Sequence, residues 1–558
     1  MSNYIVNSDS LTMVADAIRA KAGTSASLAF PSGFVDAVNN INMNGDGDYL
    51  TLWSELSQYY NSTITEVPQG AFAYCGNLSY VDIPNCTGIE NYAFCDCAIE
   101  SINAPVCGAI SQYAFEGCTQ LRSVSFPSCR FICSGAFSYC YNLSSIDFPI
   151  CRDIGPSAFY NCHDLINISF PTCSHIDRSA FYQCSGLTSI SFPICEQIGA
   201  YAFCLCSNLI TADFPSCIYV RESAFYNCSN LTVVNFPVCK ELSAGAFALC
   251  SNLTTVDFPR CQSIKTSAFD GCTGLTTGNF PTCTWVAGNA FGYCYNLTHI
   301  SLPKCKTIGE YAFERCTSLL SMSLSMCETI GSNAFYRCTS LTFANLPSCT
   351  TLERCAFSEC QNLSSVNLPM CTILKDAVFE KCGLTTINLP VCSDFGSREF
   401  AHCSNLTYAD LPACTEITYD MFTCCTNLSS VNIPNCVSIS DYAFYACTSL
   451  TSMAFSVCSQ IGEYAFGTCT NLSVINLPNC TEIGIGAFSG CSKLTAIYLG
   501  HSQVCKINPN ALSETPFERT TASAYIYVPS SLITSYQFNT NWKYYSKYFS
   551  AIEDAPAI

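Results

Sequence analysis

The sequence is poor in charged residues, and its basic residues are scattered. Only 11% of the 558 residues are charged, and 41 acidic against 23 basic residues give a net charge of −18. No run of lysine or arginine occurs anywhere in the chain. Because proteins bind phosphate backbones through clustered positive charge, this composition argues against a nucleic-acid partner.

Long apolar runs are also missing. No stretch of about 18 or more apolar residues is present, which argues against insertion into a membrane. The first residues, MSNYIVNSDSLTMVADAIRAK, lack the basic start and the apolar core of a secretory signal peptide. We therefore expect synthesis in a bacterial cytoplasm and, for any role outside the cell, release by a route other than the signal-peptide pathway.

Histidine is scarce, and the few histidines do not share a position in the sequence pattern. The chain has 5 of them, namely His163, His175, His299, His402 and His501. Nucleophilic catalysis needs a base beside the nucleophile, and zinc sites need converging ligands with short paired spacings such as C-x-x-C, which does not occur. The sequence therefore predicts no enzymatic activity, no metal site and no cofactor.

A repeat of 22 residues fills most of the chain. The stretch from Ser251 to Cys272, SNLTTVDFPRCQSIKTSAFDGC, gives the template L-x-x-V-x-F-P-x-C-x-x-I-x-x-x-A-F-x-x-C, which recurs about 20 times between residues 71 and 500. Two copies, ending at Cys118 and Cys403, are one residue shorter. A fixed period of this length predicts a solenoid, in which neighbouring coils cover each other's apolar faces.

The first half of the template predicts a half-buried strand. Val256 and Phe258 alternate with the polar Thr255 and Asp257, and Pro259 has no N–H to donate, so the strand should end there. The isoleucine and Ala-Phe positions that follow would return the chain along the other side of the coil. Each coil is therefore expected to bury an apolar set of side chains and to expose a polar strand face.

This template is similar to the leucine-rich repeats, whose strand signature is L-x-x-L-x-L-x-x-(N or C)-x-L, with Cys261 on the Asn/Cys position. The A-F-x-x-C half and the proline after the strand resemble more specifically the BspA-like leucine-rich repeats of bacterial surface and adhesion proteins. The resemblance implies an α/β repeat solenoid of about 20 coils with one parallel β-sheet and capped ends. It also implies a non-enzymatic adhesin.

The 45 cysteines fall almost entirely on two ladders, one following the strand and one following the phenylalanine. This periodicity predicts buried thiols that stack on one another and donate weak hydrogen bonds. Disulfides between neighbouring coils are the alternative, since parallel strands about 4.8 Å apart lie within the Cα separation that a disulfide allows. Each ladder cysteine has equivalent neighbours on both sides, however, so the pairing would be ambiguous.

Residues 1–44 do not follow the repeat. Ser10 can cap a first helix that Gly23 ends, and a second helix starts near Ser32, so a helical hairpin is predicted. The string DSLTMVADAIRAKAGTSASLAFPSGFVDAVNNI also resembles N-terminal segments of tail or minor structural proteins of phages and prophages of gut Firmicutes. That resemblance implies an adapter that attaches to a phage tail or other structural protein, and the alternative is a helical cap for the rod.

The sequence divides into four regions. We predict a helical adapter at residues 1–44, a linker and N-terminal cap at 45–70, the repeat array at 71–500 and a C-terminal cap at 501–558. Caps are expected because each end of a solenoid exposes an apolar layer and an open strand edge. In the C-terminal cap we predict a final strand over 525–528 and a helix that starts at Pro529, with Trp542 and Tyr548 as apolar cover.

The outward strand positions form a column of Asp, Asn and Ser beside a column of Thr and Ser. Substitutions in such a column would give a binding face its specificity, and exposed aromatic residues are common binding anchors. The alternative is a solvated repeat surface without a ligand. The predicted binding face is Asp213, Asn235, Asp257, Asn279, His299, Leu320, Phe343 and Tyr408.

These observations predict a non-enzymatic adhesin or receptor-binding protein that binds a bacterial cell-surface glycan or protein through the repeat face. The N-terminal resemblance implies that it is tail-associated and is found on a phage particle or outside the cell after release. The alternatives are a surface or secreted bacterial adhesin and a purely structural, assembling protein.

Overall fold

The computed structural model describes residues 5–6, 57–518 and 523–556. The chain divides into two compact units, Met1–Pro281 and Thr282–Ile558. The helical hairpin predicted within residues 1–44, the linker and the first part of the N-terminal cap lie outside the described residues. The exception is the strand Ile5–Val6, which pairs in parallel with the strand Gln58–Tyr60.

Each coil contains two short strands. In the template coil the strand Thr255–Asp257 has a buried central residue between two exposed ones, as the alternation predicts. The strand Ser263–Ile264 follows on the return side and buries its isoleucine. The sequence predicts one parallel sheet, but in the structure the three-residue strands form several short parallel sheets of three to five strands each. The two-residue strands add a second column of parallel pairing. The rest of the coil consists of turns.

In the first unit, strands pair in parallel with the equivalent residues of the next coil, so Thr255 lies beside Thr277. The three-residue strands are Gln58–Tyr60, Tyr80–Asp82, Ser101–Asn103, Ser123–Ser125, Ser145–Asp147, Asn167–Ser169, Ser189–Ser191, Thr211–Asp213, Val233–Asn235, Thr255–Asp257 and Thr277–Asn279. The two-residue strands are Glu66–Val67, Gly88–Ile89, Ala109–Ile110, Phe131–Ile132, Asp153–Ile154, His175–Ile176, Gln197–Ile198, Tyr219–Val220, Glu241–Leu242 and Ser263–Ile264.

The second unit repeats this arrangement, with Phe343 beside Ser365. Its three-residue strands are His299–Ser301, Ser321–Ser323, Phe343–Asn345, Ser365–Asn367, Thr386–Asn388, Tyr408–Asp410, Ser430–Asn432, Ser452–Ala454, Val474–Asn476 and Ala496–Tyr498. Its two-residue strands are Trp285–Val286, Thr307–Ile308, Thr329–Ile330, Thr351–Leu352, Ile373–Leu374, Asp394–Phe395, Glu416–Ile417, Ser438–Ile439, Gln460–Ile461, Glu482–Ile483 and Lys506–Ile507.

Stacked phenylalanines form the centre of the core. The ring of Phe247, from the Ala-Phe position, stacks on that of Phe225 with centroids 5.1 Å apart and planes at 2°. A second column comes from the end of the three-residue strand, and its Phe236 meets Phe247 edge-on at 5.8 Å and 74°. Each such aromatic pair adds about 0.5–1.5 kcal/mol beyond the burial of area. Each phenylalanine therefore stabilises both its own coil and the next.

A residue with a left-handed backbone conformation lies on each side of an Ala-Phe pair. We call the turn between these two residues the Ala-Phe turn. Ser157 and Asn161, with φ of 54° and 60°, flank Ala158 and Phe159 in this way. A residue other than glycine in this conformation costs roughly 1–2 kcal/mol. Sequence reasoning did not predict this feature, because tyrosine, serine, asparagine and arginine all occupy these positions. The packing of Ala and Phe into the core compensates for the cost.

The two shorter copies lose their residue from a surface turn. In the first, Ile99 follows Cys97 by two residues and is fully buried at the position that leucine occupies in the template. In the second, Leu384 follows Cys382 in the same way. The deletion therefore leaves the core columns intact.

Beyond the last repeat, the chain forms a strand at Tyr525–Val528, as predicted, and this strand pairs in parallel with Ala496–Tyr498. The remaining elements are the 3₁₀ helix Ser530–Leu532, the α-helix Ile533–Phe538, the 3₁₀ helix Lys543–Tyr548, the strand Phe549–Ala551 and the 3₁₀ helix Ile552–Asp554. Trp542 is fully buried and its Nε1–H donates to the Cys505 carbonyl at 2.6 Å. This segment covers the apolar end of the last coil. The helices of the described chain are all too short to cross a membrane.

Candidate functional site

The polar residues predicted for the binding face in the first unit form hydrogen-bonded pairs. Asn235 Nδ2 donates to Asp213 Oδ1 at 2.7 Å, and Ser191 Oγ donates to Asp213 Oδ2 at 2.9 Å. Asn279 Nδ2 donates to Asp257 Oδ1 at 2.9 Å. The structure therefore brings these four candidates together as two pairs, each joining adjacent strands.

These pairs satisfy part of the hydrogen-bonding capacity of the column. Each carboxylate keeps further lone pairs, and each amide keeps one N–H and its carbonyl oxygen. Cross-strand pairs of this kind add roughly 0.2–1 kcal/mol to a sheet. The column therefore stabilises the array and still offers donors and acceptors to a ligand.

The other four candidates lie on the second unit. His299, Phe343 and Tyr408 occupy the exposed first position of their strands, and Leu320 directly precedes a strand. The Thr342 N–H donates to the Leu320 carbonyl at 3.0 Å, so Leu320 and Phe343 lie in adjacent coils. The Leu320 N–H donates to the Thr298 carbonyl at 3.3 Å, so His299 lies in the coil directly before Leu320. The strands Ser365–Asn367 and Thr386–Asn388 separate Tyr408 from Phe343. The face thus has anchors on three adjacent coils and a further anchor, Tyr408, apart from them.

The cysteine ladders make two kinds of hydrogen bond. In the strand ladder, the thiol donates to the carbonyl two residues on, as from Cys239 to Glu241 at 3.3 Å. In the phenylalanine ladder, it donates to the phenylalanine of the preceding coil, as from Cys250 to Phe225 at 3.1 Å. No disulfide forms within residues 57–518. One thiol therefore closes the corner of a coil, and the other joins two coils.

Burial raises the pKa of most ladder thiols and makes them poor nucleophiles. Cys371 and Cys436 are exceptions, because a hydrogen bond from the next thiol of the ladder, Cys392 or Cys458, lowers the pKa of each. Burial raises the pKa of both Cys239 and Cys250 to about 12. Backbone hydrogen bonds lower the two pKa values, but by a smaller amount. Since the thiolate is the reactive form, these side chains stay protonated and inert at neutral pH. Among the described residues, no group of three or more His, Cys, Asp or Glu side chains is arranged to hold a metal ion.

Sequence reasoning missed an aromatic cluster on the Ala-Phe turns of the first unit. Tyr160 stacks on Tyr182 with centroids 4.8 Å apart, and Tyr141 stacks on His163 at 5.5 Å. Tyr139 contacts both Tyr160, at 5.5 Å, and Tyr141, at 6.2 Å. The available signal was that Tyr141 and His163 share a repeat position at which the next coils have Ser185 and Ser207.

Sequence reasoning also missed a buried carboxyl group. Glu399 takes the place of the alanine in its Ala-Phe turn and is fully buried. Its Oε2 accepts a hydrogen bond from Thr418 Oγ1 at 3.3 Å, while Oε1 has no partner among the described residues. Burial, with a smaller contribution from Asp376 and Asp394, raises the pKa of Glu399 to about 8.

Parallel strands, a leucine before each strand and stacked core side chains define a leucine-rich-repeat solenoid with an exposed strand face. The chain belongs to the BspA type leucine rich repeat family. The family model, described as "BspA type Leucine rich repeat region (6 copies)", matches residues 55–165, 152–276, 240–353, 328–451 and 415–543. The comparison with curated proteins found no match.

Several solved structures are similar to this chain. A leucine-rich repeat protein from Bacteroides ovatus ATCC 8483 is 19% identical, with 80% of this chain and 87% of that chain covered and a TM-score of 0.27. A leucine rich cell surface protein from Faecalibacterium prausnitzii A2-165 is 20% identical, with 56% and 87% covered and a TM-score of 0.29. A leucine rich repeat protein from T. pallidum is 28% identical over 30% of this chain and 72% of that chain, with a TM-score of 0.25. At these TM-scores the likenesses do not bear on function.

Proposed function

We propose that this protein is a non-enzymatic adhesin or receptor-binding protein, which binds a bacterial cell-surface glycan or protein through the exposed strand face. The observation that carries the proposal is the row of exposed side chains that replace small polar residues on this face. Leu320, Phe343 and Tyr408 are 44%, 41% and 39% exposed. Proteins with BspA-like repeats are typically surface adhesins or binding proteins, which supports the same function.

The proposal assigns recognition to the array at residues 71–500 and attachment to residues 1–44. The support for attachment to a phage tail or other structural protein is the sequence resemblance of this segment. In this proposal the protein acts on a phage particle, or outside the cell after release.

Binding of the labelled full chain to a panel of gut bacteria tests this function. A Phe343→Thr, Tyr408→Thr double variant restores the threonine that Thr255 and Thr277 have at this position. We expect it to weaken binding at least tenfold, because exposed aromatic residues carry much of the energy of an interface. Val233→Thr, at the same position in the first unit, is the matched control and should bind as the unaltered chain does.

A chain that begins at Tyr49 separates recognition from attachment. It should keep saturable binding to the cells and lose association with any tail structure. Absence of binding by both the full chain and this shorter form would contradict the proposal, as would full binding by the double variant.

A further inference from the structure

We propose that the aromatic cluster on the Ala-Phe turns of the first unit is a second binding site, which takes a neutral carbohydrate. This site goes beyond the strand-face function, because it lies on turns and uses different residues. The cluster, named here the turn cluster, consists of Tyr139, Tyr141, Tyr160, His163 and Tyr182.

The rings of the turn cluster form one continuous group across neighbouring coils. Tyr160 and Tyr182 are nearly parallel, at 4°, and so are Tyr141 and His163, at 11°. The ring of Tyr139 lies between the two stacks and is steeply inclined to both, at 64° to Tyr160 and 75° to Tyr141. The two stacks and the inclined ring of Tyr139 therefore bring ring faces and ring edges together within the turn cluster.

The fold does not require aromatic residues at these positions. The coils that follow have Ser185 and Ser207 where Tyr141 and His163 stand, and a later coil has Ala248 where Tyr160 stands. Tyr139 and Tyr141 are 37% and 40% exposed, so they contribute little to the core. Exposed aromatic groups that folding does not require commonly mark binding sites.

The chemistry of the turn cluster suits a neutral sugar. Tyrosine combines an apolar ring with a hydroxyl, which matches a ligand with C–H faces and O–H edges. Two acidic side chains lie nearby: Asp164 follows His163, and Glu116 adds to the effect of burial and of the neighbouring tyrosines in raising the pKa of Tyr139. Arg178, which begins the turn of Tyr182, lies over the ring of Tyr201 instead. In the described part of the chain, no lysine or arginine lies over these rings. An anionic polymer would therefore be repelled.

A second observation points to a hydroxyl-bearing ligand. Asn161 occupies the same repeat position as Tyr139, one coil later, and its side-chain oxygen is buried without a hydrogen-bond partner in the described part of the chain. A buried acceptor of this kind costs about 1–3 kcal/mol when it stays unpaired. A sugar hydroxyl that displaces the side chains covering this oxygen would supply the missing donor.

The size of the turn cluster favours a carbohydrate over a protein partner. Neighbouring coils lie about 4.8 Å apart, so the cluster extends roughly 10 Å along the array. This length suits two or three sugar rings. A stable protein interface buries about 800 Å² on each partner, which is far more than five side chains provide.

The test measures binding of the full chain to polysaccharides by affinity electrophoresis and calorimetry. The probes are a β-glucan, an α-mannan, a galactan and chitin oligosaccharides, with polygalacturonate as the anionic polymer. We expect at least one neutral probe to bind and polygalacturonate not to bind. A Tyr141→Ser, His163→Ser double variant, which restores the serine of the following coils, should weaken that binding at least tenfold.

Tyr295→Ser is the matched control. Tyr293 and Tyr295 have nearly the geometry of Tyr139 and Tyr141, with centroids 6.2 Å apart and planes at 80°. The coil after Tyr293 and Tyr295 has Glu314 and Thr317 at the positions where Tyr160 and His163 follow Tyr139 and Tyr141. This variant should keep full binding, and unchanged circular dichroism and melting would show that both variants fold.

Failure of every neutral probe to bind would overturn the proposal, and so would equal binding by the double variant. Capture of a protein with no carbohydrate binding would also overturn it. The Phe343→Thr, Tyr408→Thr variant should keep its polysaccharide binding, so the two proposed sites are tested independently of each other.

Discussion

Glu399 makes the stability of its coil depend on pH. Its pKa of about 8 lies above the usual value of 4.5, so the folded state favours the protonated form. The contribution of Glu399 to stability is therefore most favourable below about pH 4.5 and is lost as the pH rises through about 8. Ionisation would place a charge in the core beside an oxygen that already lacks a partner.

Replacement of Glu399 should remove this dependence. We expect Glu399→Ala, which restores the usual residue of the Ala-Phe turn, to raise the free energy of unfolding by about 2 kcal/mol at pH 8.5. Urea denaturation at several pH values measures the effect. Glu399→Gln has the same shape without the charge and should also reduce the decrease in stability between pH 5 and 8. An unchanged decrease in stability between pH 5 and 8 in both variants would contradict the assignment.

The left-handed positions can be tested at two glycines near the start of the array. Gly70 has a φ of +65°, Gly76 does not lie in the left-handed region, and an added Cβ would meet no atom within 4 Å at either. We expect Gly70→Ala to lower the free energy of unfolding by about 1 kcal/mol and Gly76→Ala to leave it almost unchanged. Equal effects in thermal denaturation would show that backbone conformation does not limit these turns.

At the scale of the element, the hydrogen bond from the Cys250 thiol to the Phe225 carbonyl joins two coils. Cys250→Ala removes this bond and leaves a small cavity, so we expect a loss of about 1–2 kcal/mol in the free energy of unfolding. Cys133→Ala is the control, since this half-buried cysteine lies outside both ladders, and it should change stability by less than about 0.5 kcal/mol. Chemical denaturation under reducing conditions distinguishes the two results.

The sequence predicts some elements of the coil better than others. The alternation of Val256 and Asp257 is long enough to reveal the first strand, and Pro259 marks its end. The strand Ser263–Ile264 is too short to show any alternation. The left-handed turns were missed because residues as different as Tyr201 and Arg337 occupy them. Backbone conformation there is imposed by packing of neighbouring coils, which no local pattern records.

The predicted binding face shows the same limit. Sequence reasoning placed Asp213 and Asn235 correctly in one column, but their mutual hydrogen bond depends on side-chain geometry between coils. The turn cluster depends on contacts between residues about 22 positions apart, such as Tyr160 and Tyr182. Such clusters become visible in a sequence only when the coils are aligned and each position is compared with its neighbours.

At the scale of the whole molecule, the cysteines should react in two distinct classes. Cys133, Cys355 and Cys424 are partly exposed, and the other cysteines are buried. Burial raises the pKa of all three partly exposed thiols, so even these should react slowly with iodoacetamide at pH 7. Mass spectrometry of the native protein should find label on these three alone, and denaturation without reductant should expose the rest. Unlabelled cysteines after denaturation would reveal disulfides.

The hydrogen bonds between coils also decide how the chain can fold. The Phe225 N–H donates to the Ala246 carbonyl at 2.8 Å, and the Lys240 N–H donates to the Ile218 carbonyl at 2.9 Å. In the described part of the array, the backbone hydrogen bonds between coils join immediate neighbours in this way. A nascent chain can therefore add coils one at a time as they leave the ribosome. A chain refolding from denaturant has no such order, and the equivalent columns of Phe and Leu allow one coil to be skipped.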